Sequence, residues 1–366
     1  MDGLRELARN CPEFPLEFEP QPETEFPAFW IESTPSSAPS ESENETLQSH
    51  RGTLRQSELG RFFQDLPSKD RNNKKYPSRL ICVGMGAPGR TTLKISSEAF
   101  REVLIGMDVD PWVEHLIRNQ TYGFYHHVGR RVSLGNGSVQ VPVQVASYVL
   151  KVRHFMAVWT CQTQTPTPTQ TQTQIRREGE KETTGRVSAK CLIIDSGDSP
   201  ASLLGSRINL ELYLKTFQSA APSSLYLPFV FSVNAVRWME NRLERIMNLV
   251  RRVETRTGHG TWGLGRFEEK RESIPNLTAA LATELNVVTV LPMHLRTIEK
   301  VFNYLEEELA RGCDLEIKRN KRLREAETSM AEAISLLKQE CASVIQRCAV
   351  VEVRIRSQSS VVCSST

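Results

Sequence analysis

The stretch MAEAISLLKQECASVIQRCAVVEVRI, residues 330–355, decides the fold class of the C-terminal half. Its apolar positions are Met330, Ile334, Leu337, Cys341, Val344, Cys348, Val351 and Ile355, separated alternately by four and three residues. That spacing lines one seam of an α-helix and fits heptad packing against a neighbouring helix. The same periodicity extends upstream. RINLELYLKTFQ, residues 207–218, reads as one helix, and a longer one is expected from near Pro228 to Thr255. The latter carries Val236, Met239, Leu243, Ile246, Val250 and Val253 along one side, and the glycine-rich TGHGTWGLG ends it. A further helix is expected from about Asn276 to Ala310, interrupted or kinked at Pro292, and the last from about Asp314 to Arg356. The polar tail from Ser357 is expected to fray.

The N-terminal half has a different pattern. Residues 1–77 are rich in Pro, Glu and Ser, with PSSAPSESENET at their centre, and read as largely disordered. The aromatic residues Phe14, Phe18, Phe26, Phe29 and Trp30 leave room for short pieces docked on the folded part. From Ser78, RLICV reads as a strand and TTLKIS as another after a glycine-rich turn. Ser97 is expected to cap the helix SEAFREVLIG, with Phe100, Val103 and Leu104 on one face. Asp110 and Pro111 start a second helix, PWVEHLIRN. GFYHHVG, SVQVPVQV and SYVLKVRHFMAVWTC read as strands, with Gly135-Asn136-Gly137 supplying a hairpin-type turn. TQTPTPTQTQTQ and RREGEKETTGR form a low-complexity insertion over 162–186, before the strand VSAKCLIID from Val187.

The expected fold is therefore α+β. An N-terminal α/β layer with a mixed or antiparallel sheet, residues 78–205, is followed by long antiparallel helices with a coiled-coil-like seam over 206–356 and a tail over 357–366.

Composition narrows the function classes. Basic and acidic residues number 46 and 43, a net charge of +3, so the chain as a whole has no electrostatic footprint for nucleic acid. The basic runs RLERIMNLVRR and KRNKRLRE are interleaved with or flanked by Glu244, Glu254, Glu316, Glu325 and Glu327, the pattern of solvated helical faces. Eight cysteines occur with no pair at CxxC spacing, which argues for reduced thiols in the cytosol over disulfides or structural zinc. The N-terminus has no apolar signal-peptide core. The longest apolar runs, such as Leu225 to Val233, are about half the ~20 residues that a bilayer-crossing helix needs. A cytoplasmic protein with no direct membrane insertion is expected.

Few residues suggest chemistry. GMGAPGRTT, residues 84–92, places Gly84, Gly86, Gly89, Arg90 and Thr91 in a pattern close to phosphate-binding glycine loops. Those loops work by aiming backbone N–H groups and a helix N-terminus at the phosphate. Here the next residues are strand-like and Arg90 stands where a lysine would be, so a β-hairpin loop is the competing reading. His126 and His127 are adjacent and would point to opposite faces of a strand. His115, His154, His259 and His294 have no acidic or cysteine partner at metal spacing. Asp108 and Asp110 read as cap and dipole partners of a helix start. In TGHGTWG, Gly258 suits a left-handed helix C-cap and Trp262 could pack back on the helix end; with His259 and Gly260 they form a structural connector or a partner site. No metal site, cofactor or catalytic constellation is expected, and the chain is read as non-enzymatic.

SRLICV, LKISSEAFREVLIGMDVDPWVEHLI, GFYHHV, SYVLKVRHF and CLIID, in this order, resemble the N-terminal part of the fungal CorA-like transporter-domain family. RVETRTGHGTWG, IPNLTAALATELNVV and HLRTIEKVFNYLEEEL are similar to that family's first long helices. The resemblance spans roughly residues 78–356, and TGHGTWG is its most specific piece. It implies a cytoplasmic α/β layer and long helices, followed in the family by two membrane helices. In CorA channels a Gly-Met-Asn motif at the pore mouth holds hydrated magnesium; Gly84-Met85-Gly86 and Gly106-Met107-Asp108 only approximate it and lie far upstream. The sequence ends at SSVVCSST without a membrane pair. The expectation is thus a soluble homologue of the cytoplasmic domain acting through helix-mediated assembly, by self-association or with a helical protein partner. A component or truncated form of a divalent-cation (magnesium) transporter is the alternative, and a nucleotide-binding protein a remote one.

Overall fold

The computed structural model describes residues 17–19, 25–35, 45–63, 75–85, 92–134, 140–153, 155–164, 187–195, 207–257, 274–315 and 321–364. Its strands are β1 (Glu17–Phe18), β2 (Phe26–Pro35), β3 (Glu45–Leu54), β4 (Lys75–Gly84), β5 (Thr92–Leu93), β6 (Gly123–Leu134), β7 (Gln140–Val152), β8 (Phe155–Gln164) and β9 (Val187–Asp195). Its α-helices are α1 (Leu59–Phe63), α2 (Ser97–Met107), α3 (Pro111–Arg118), α4 (Arg207–Thr216), α5 (Tyr226–Thr257), α6 (Ile274–Leu315) and α7 (Lys321–Ser364). The fold is α+β: a mixed sheet first, then long helices. Two compact units divide the chain, Met1–Phe231 with Arg311–Thr328, and Ser232–Ala310 with Ser329–Thr366. The boundary therefore falls inside α5 rather than near residue 206.

In the first unit a seven-stranded sheet has the order β3-β2-β4-β9-β8-β7-β6. Only β4 and β9 pair in parallel; the other neighbours are antiparallel. One sheet face carries Ile81, Val83, Met156, Val158, Leu192 and Ile194, all buried in a core shared with Phe100, Val103, Val113 and Ile117 of α2 and α3. On the other, Phe155 and Trp159 meet Phe231 at ring separations of 5.7 and 5.5 Å.

A polar row crosses the first face and fixes the helices on it. Thr160 and Lys190 are direct partners across β8 and β9, and Arg79 is the β4 partner of Lys190. All three are buried, yet each donates to a helix carbonyl: Thr160 Oγ1 to Met107 O at 2.6 Å, Lys190 Nζ to Gly106 O at 3.1 Å, and Arg79 to Phe62 O at 3.0 Å. The last carbonyls of a helix have no intrahelical donor, so these bonds satisfy groups that burial would otherwise orphan. Asp108 closes α2 in the left-handed conformation, at φ 59°. Gly106 allows the close approach of α1, because a Cβ there would lie 3.0 Å from Phe63 Cβ.

Several sequence expectations change. The segment before residue 78 is not largely disordered over its described part: β2, β3 and α1 lie within it. Averaged composition hid the apolar density of FPAFWIESTP, where Phe26, Ala28, Phe29 and Ile31 are buried and the backbone pairs with both β3 and β4. PSSAPSESENET falls mostly outside the described residues. The α2 cap is Ser96, not Ser97: the Ser96 hydroxyl accepts from Ala99 N–H at 3.1 Å. Asp110 does cap α3. TTLKIS contributes only the two-residue β5, parallel to β1. From Gln140 onward SVQVPVQV runs into SYVLKV as one strand, β7, while SYVLKVRHFMAVWTC is divided between β7 and β8. The insertion 162–186 begins later than expected, since β8 runs to Gln164; residues 165–186 and the 135–137 turn lie outside the described residues.

The second unit is a three-helix bundle. Arg242 of α5 binds Glu284 of α6, and Glu306 of α6 binds Lys338 of α7, although a straight helix would separate the latter pair by about 48 Å. The chain therefore reverses at each connection. Arg237–Glu340, Glu244–Arg347 and Glu254–Arg354 rise together in number, so α5 and α7 run parallel, with α6 the return. Helix α6 passes through Pro292 unbroken, with buried Leu291 and Leu295 beside it. Helix α7 does not fray after Ser357 but continues to Ser364. Gln358 is buried there and accepts from the Thr257 hydroxyl at 3.0 Å, a contact that the polar composition of the tail concealed.

Thr160→Val keeps the shape of the side chain and removes the donor from Met107 O. Chemical denaturation should register a loss of roughly 1–3 kcal/mol, the cost of an orphaned buried carbonyl. Unchanged stability would deny the polar row its anchoring part.

Candidate functional site

Gly84 ends β4; Met85 bridges Leu93 antiparallel, and Lys94 N–H donates to Gly84 O at 2.9 Å. This is the frame of a hairpin loop. The next helix, α2, starts beyond Ile95 with its first turn capped by Ser96, so the loop does not open directly onto a helix N-terminus. Gly86, Gly89, Arg90 and Thr91 lie outside the described residues, as do Gly258, His259, Gly260 and Trp262. Helix α5 ends at Thr257, immediately before that second motif. Gly106-Met107-Asp108 is the C-terminus of α2, its first two carbonyls occupied by Lys190 and Thr160.

The histidines are dispersed. His127 Nδ1 stands 3.7 Å from the Asp110 carboxylate, while His126, on the other face of β6, stacks against Phe124 and Tyr148. His115 meets Asn119 one turn on, and His294 is buried in α6. His154 and His259 lie outside the described residues. Cys161 and Cys191 are buried in the sheet; burial pushes Cys161 up to about 12 and Cys191 well above the ordinary thiol value, with Cys82 and Cys161 adding to the latter. Thiols in that state are poor nucleophiles.

Lys151 is a perturbed amine with no local signal in the sequence. Burial pushes its ammonium down to about 8, with the Asp195 carboxylate opposing. Its Nζ sits 5.7 Å from the centre of the Tyr122 ring, within cation–π range.

The seam residues share one side of α7. Met330, Ile334, Leu337, Cys341, Val344, Cys348, Val351 and Ile355 are all buried. Burial, with Glu299 and Glu340 adding, pushes Cys341 up to about 12; burial takes Cys348 to about 11, with Arg347 opposing. The basic runs are partnered in part. Arg242 makes two 2.6 Å bonds to Glu284, and Arg251 reaches Glu244 and Asn248.

A second stripe on α7, absent from the sequence reading, faces outward. Leu336, Val350 and Val353 are 67%, 58% and 67% exposed. Gln339, Ser343 and Gln346 continue the stripe between them and are exposed too. Lys338, Glu340, Arg347 and Arg354 on its flanks are drawn sideways into ion pairs with α5 or α6. The outer surface of the helix is left without charge from Ser335 to Val353. Sequence alone held one clue: residues 336, 339, 343, 346, 350 and 353 repeat the three-four spacing of the inner seam, out of phase with it.

No protein-family model matches this sequence, and no curated protein matches it. Among the described residues, no group of His, Cys, Asp and Glu side chains could hold a metal ion, and no helix is long and apolar enough to cross a membrane.

The Lys151 environment gives a pH signature. Between pH 8 and 10.5 the folded chain holds this amine neutral while the unfolded chain protonates it, so unfolding takes up a proton and rising pH favours the fold. Lys151→Met removes the group. Its stability advantage over the natural chain should shrink by about 3 kcal/mol from neutral pH to above 10.5, read from denaturation curves at matched pH. A constant difference would mean that Lys151 titrates normally when folded.

Proposed function

We propose that the chain is a non-enzymatic assembly protein of the cytoplasm, built like the cytoplasmic part of CorA-like proteins, and that it acts by docking another helix on its bundle. The order of its strands and helices and the TGHGTWG motif support the family reading. The mode of action rests on one observation: α7 carries two heptad stripes, one buried within its own unit and one exposed and uncharged. Solvated helix faces ordinarily carry charges, and exposed aliphatic side chains set at heptad spacing are a surface suited to a second helix. Because the inner seam is already filled by α5 and α6, the outer stripe is the part of α7 left for assembly.

Sedimentation of the purified full chain over a wide concentration range tests this. The chain should exceed its 41.4 kDa monomer mass, and Leu336→Glu should return it to that mass without altering helix content. A natural chain at monomer mass throughout would contradict the reading.

A further inference from the structure

The outer stripe of α7 has a charge pattern that selects both its occupant and the direction of packing. It consists of Leu336, Gln339, Ser343, Gln346, Val350 and Val353, all exposed. One acidic group, Glu332, stands at its N-terminal end, and one basic group, Arg356, at its C-terminal end; both are exposed. From Glu332 to Ser357 the stripe runs about 38 Å along the helix.

We propose that this stripe is the interface of a two-fold homodimer, in which α7 of one copy packs antiparallel on α7 of a second copy about a centre between Ser343 and Gln346. The proposal rests on the assembly reading above and specifies its partner and geometry.

Three features carry it. The first is self-complementarity. With that centre, Leu336 faces Val353 of the other copy, Gln339 faces Val350, and Ser343 faces Gln346, so each layer joins one residue from each half of the stripe. A two-fold interface uses the same patch on both subunits, as this one does. The second is charge. Antiparallel packing brings Glu332 beside Arg356 of the second copy at both ends, whereas parallel packing in register would set Glu332 against Glu332 and Arg356 against Arg356. Within its own helix Arg356 makes two bonds to one oxygen of Glu352, at 3.0 and 2.8 Å, and its guanidinium, 62% exposed, has further N–H groups to offer a second carboxylate. The third is the absence of charge between those ends. Such a surface offers no ion pair to an acidic or basic partner helix, and it imposes no cost of burying a charge on a partner that is equally uncharged. The small side chains of Ala342, Ser343 and Ala349, all exposed, leave the middle of the surface low enough for close helix approach.

Charge reversal tests the arrangement, using the full chain and sedimentation equilibrium. Glu332→Arg should place like charges at both ends and weaken the dimer roughly tenfold, since each exposed pair changes from mild attraction to mild repulsion. Arg356→Glu should do the same, and the double variant E332R/R356E should restore the natural dissociation constant. Val350→Glu should leave monomer, and matching helix content and melting temperature for all four variants would show that folding is intact. A dimer that survives Val350→Glu, or single reversals that the double variant does not rescue, would overturn the antiparallel α7 interface while leaving assembly through another surface standing. A natural chain that never exceeds monomer mass would overturn both.

Discussion

The burial of α7 against α5 and α6 is the constraint on which the second unit depends. Its eight seam residues reach almost complete burial only because α5 and α7 run parallel with α6 returning between their ends. Ion pairs flank this core along much of its length. Arg354 and Glu254 make the most buried of them, a two-bond pair at 2.9 and 2.5 Å, where loss of either partner would strand a desolvated charge. These bridges also have an indirect effect. By drawing the flanking charges of α7 toward its neighbours, they strip its outer surface of charge and create the stripe that the assembly account uses.

In the first unit, order rests on a different device. Arg79, Lys190 and Thr160 form a polar row on the helix-covered face of the sheet, and all three bonds go to the C-terminal carbonyls of α1 and α2. Cationic groups at helix C-termini also complement the helix dipole. A sheet face that must bury helix ends thus supplies their missing donors, which fixes where α2 stops and brings Gly106 against α1.

Much of this was legible in the residues, for identifiable reasons. Strong periodicity survives without tertiary help, so the seam of α7, the apolar side of α5 and the strand Val187–Asp195 could be read from spacing. What escaped was order that depends on distant partners. The strand Glu45–Leu54 is polar and becomes regular only by pairing with Phe26–Pro35, and its Arg51 binds Glu211 far along the chain. The end of α7 is polar as well, and Gln358 is held by Thr257. The candidate surface was half legible: Leu336, Val350 and Val353 were visible as apolar residues, but only the sideways ion pairs of their neighbours reveal that the stripe is uncharged. Lys151 gave no local signal, because its perturbation comes from burial in a sheet that exists only after folding, with the Asp195 carboxylate opposing.

Assembly through the outer stripe requires the α7 seam to be satisfied inside a single chain. Cys341 and Cys348 report on it directly, since both thiols lie in the seam and are buried. Their rate of alkylation, followed by mass spectrometry at falling protein concentration in a chain whose outer stripe carries Val350→Glu, separates the two possibilities. Slow labelling that does not change on dilution is expected, because the seam opens only when the bundle of one chain opens. Labelling that accelerates on dilution would mean that the seam is closed by another molecule, and would contradict that requirement.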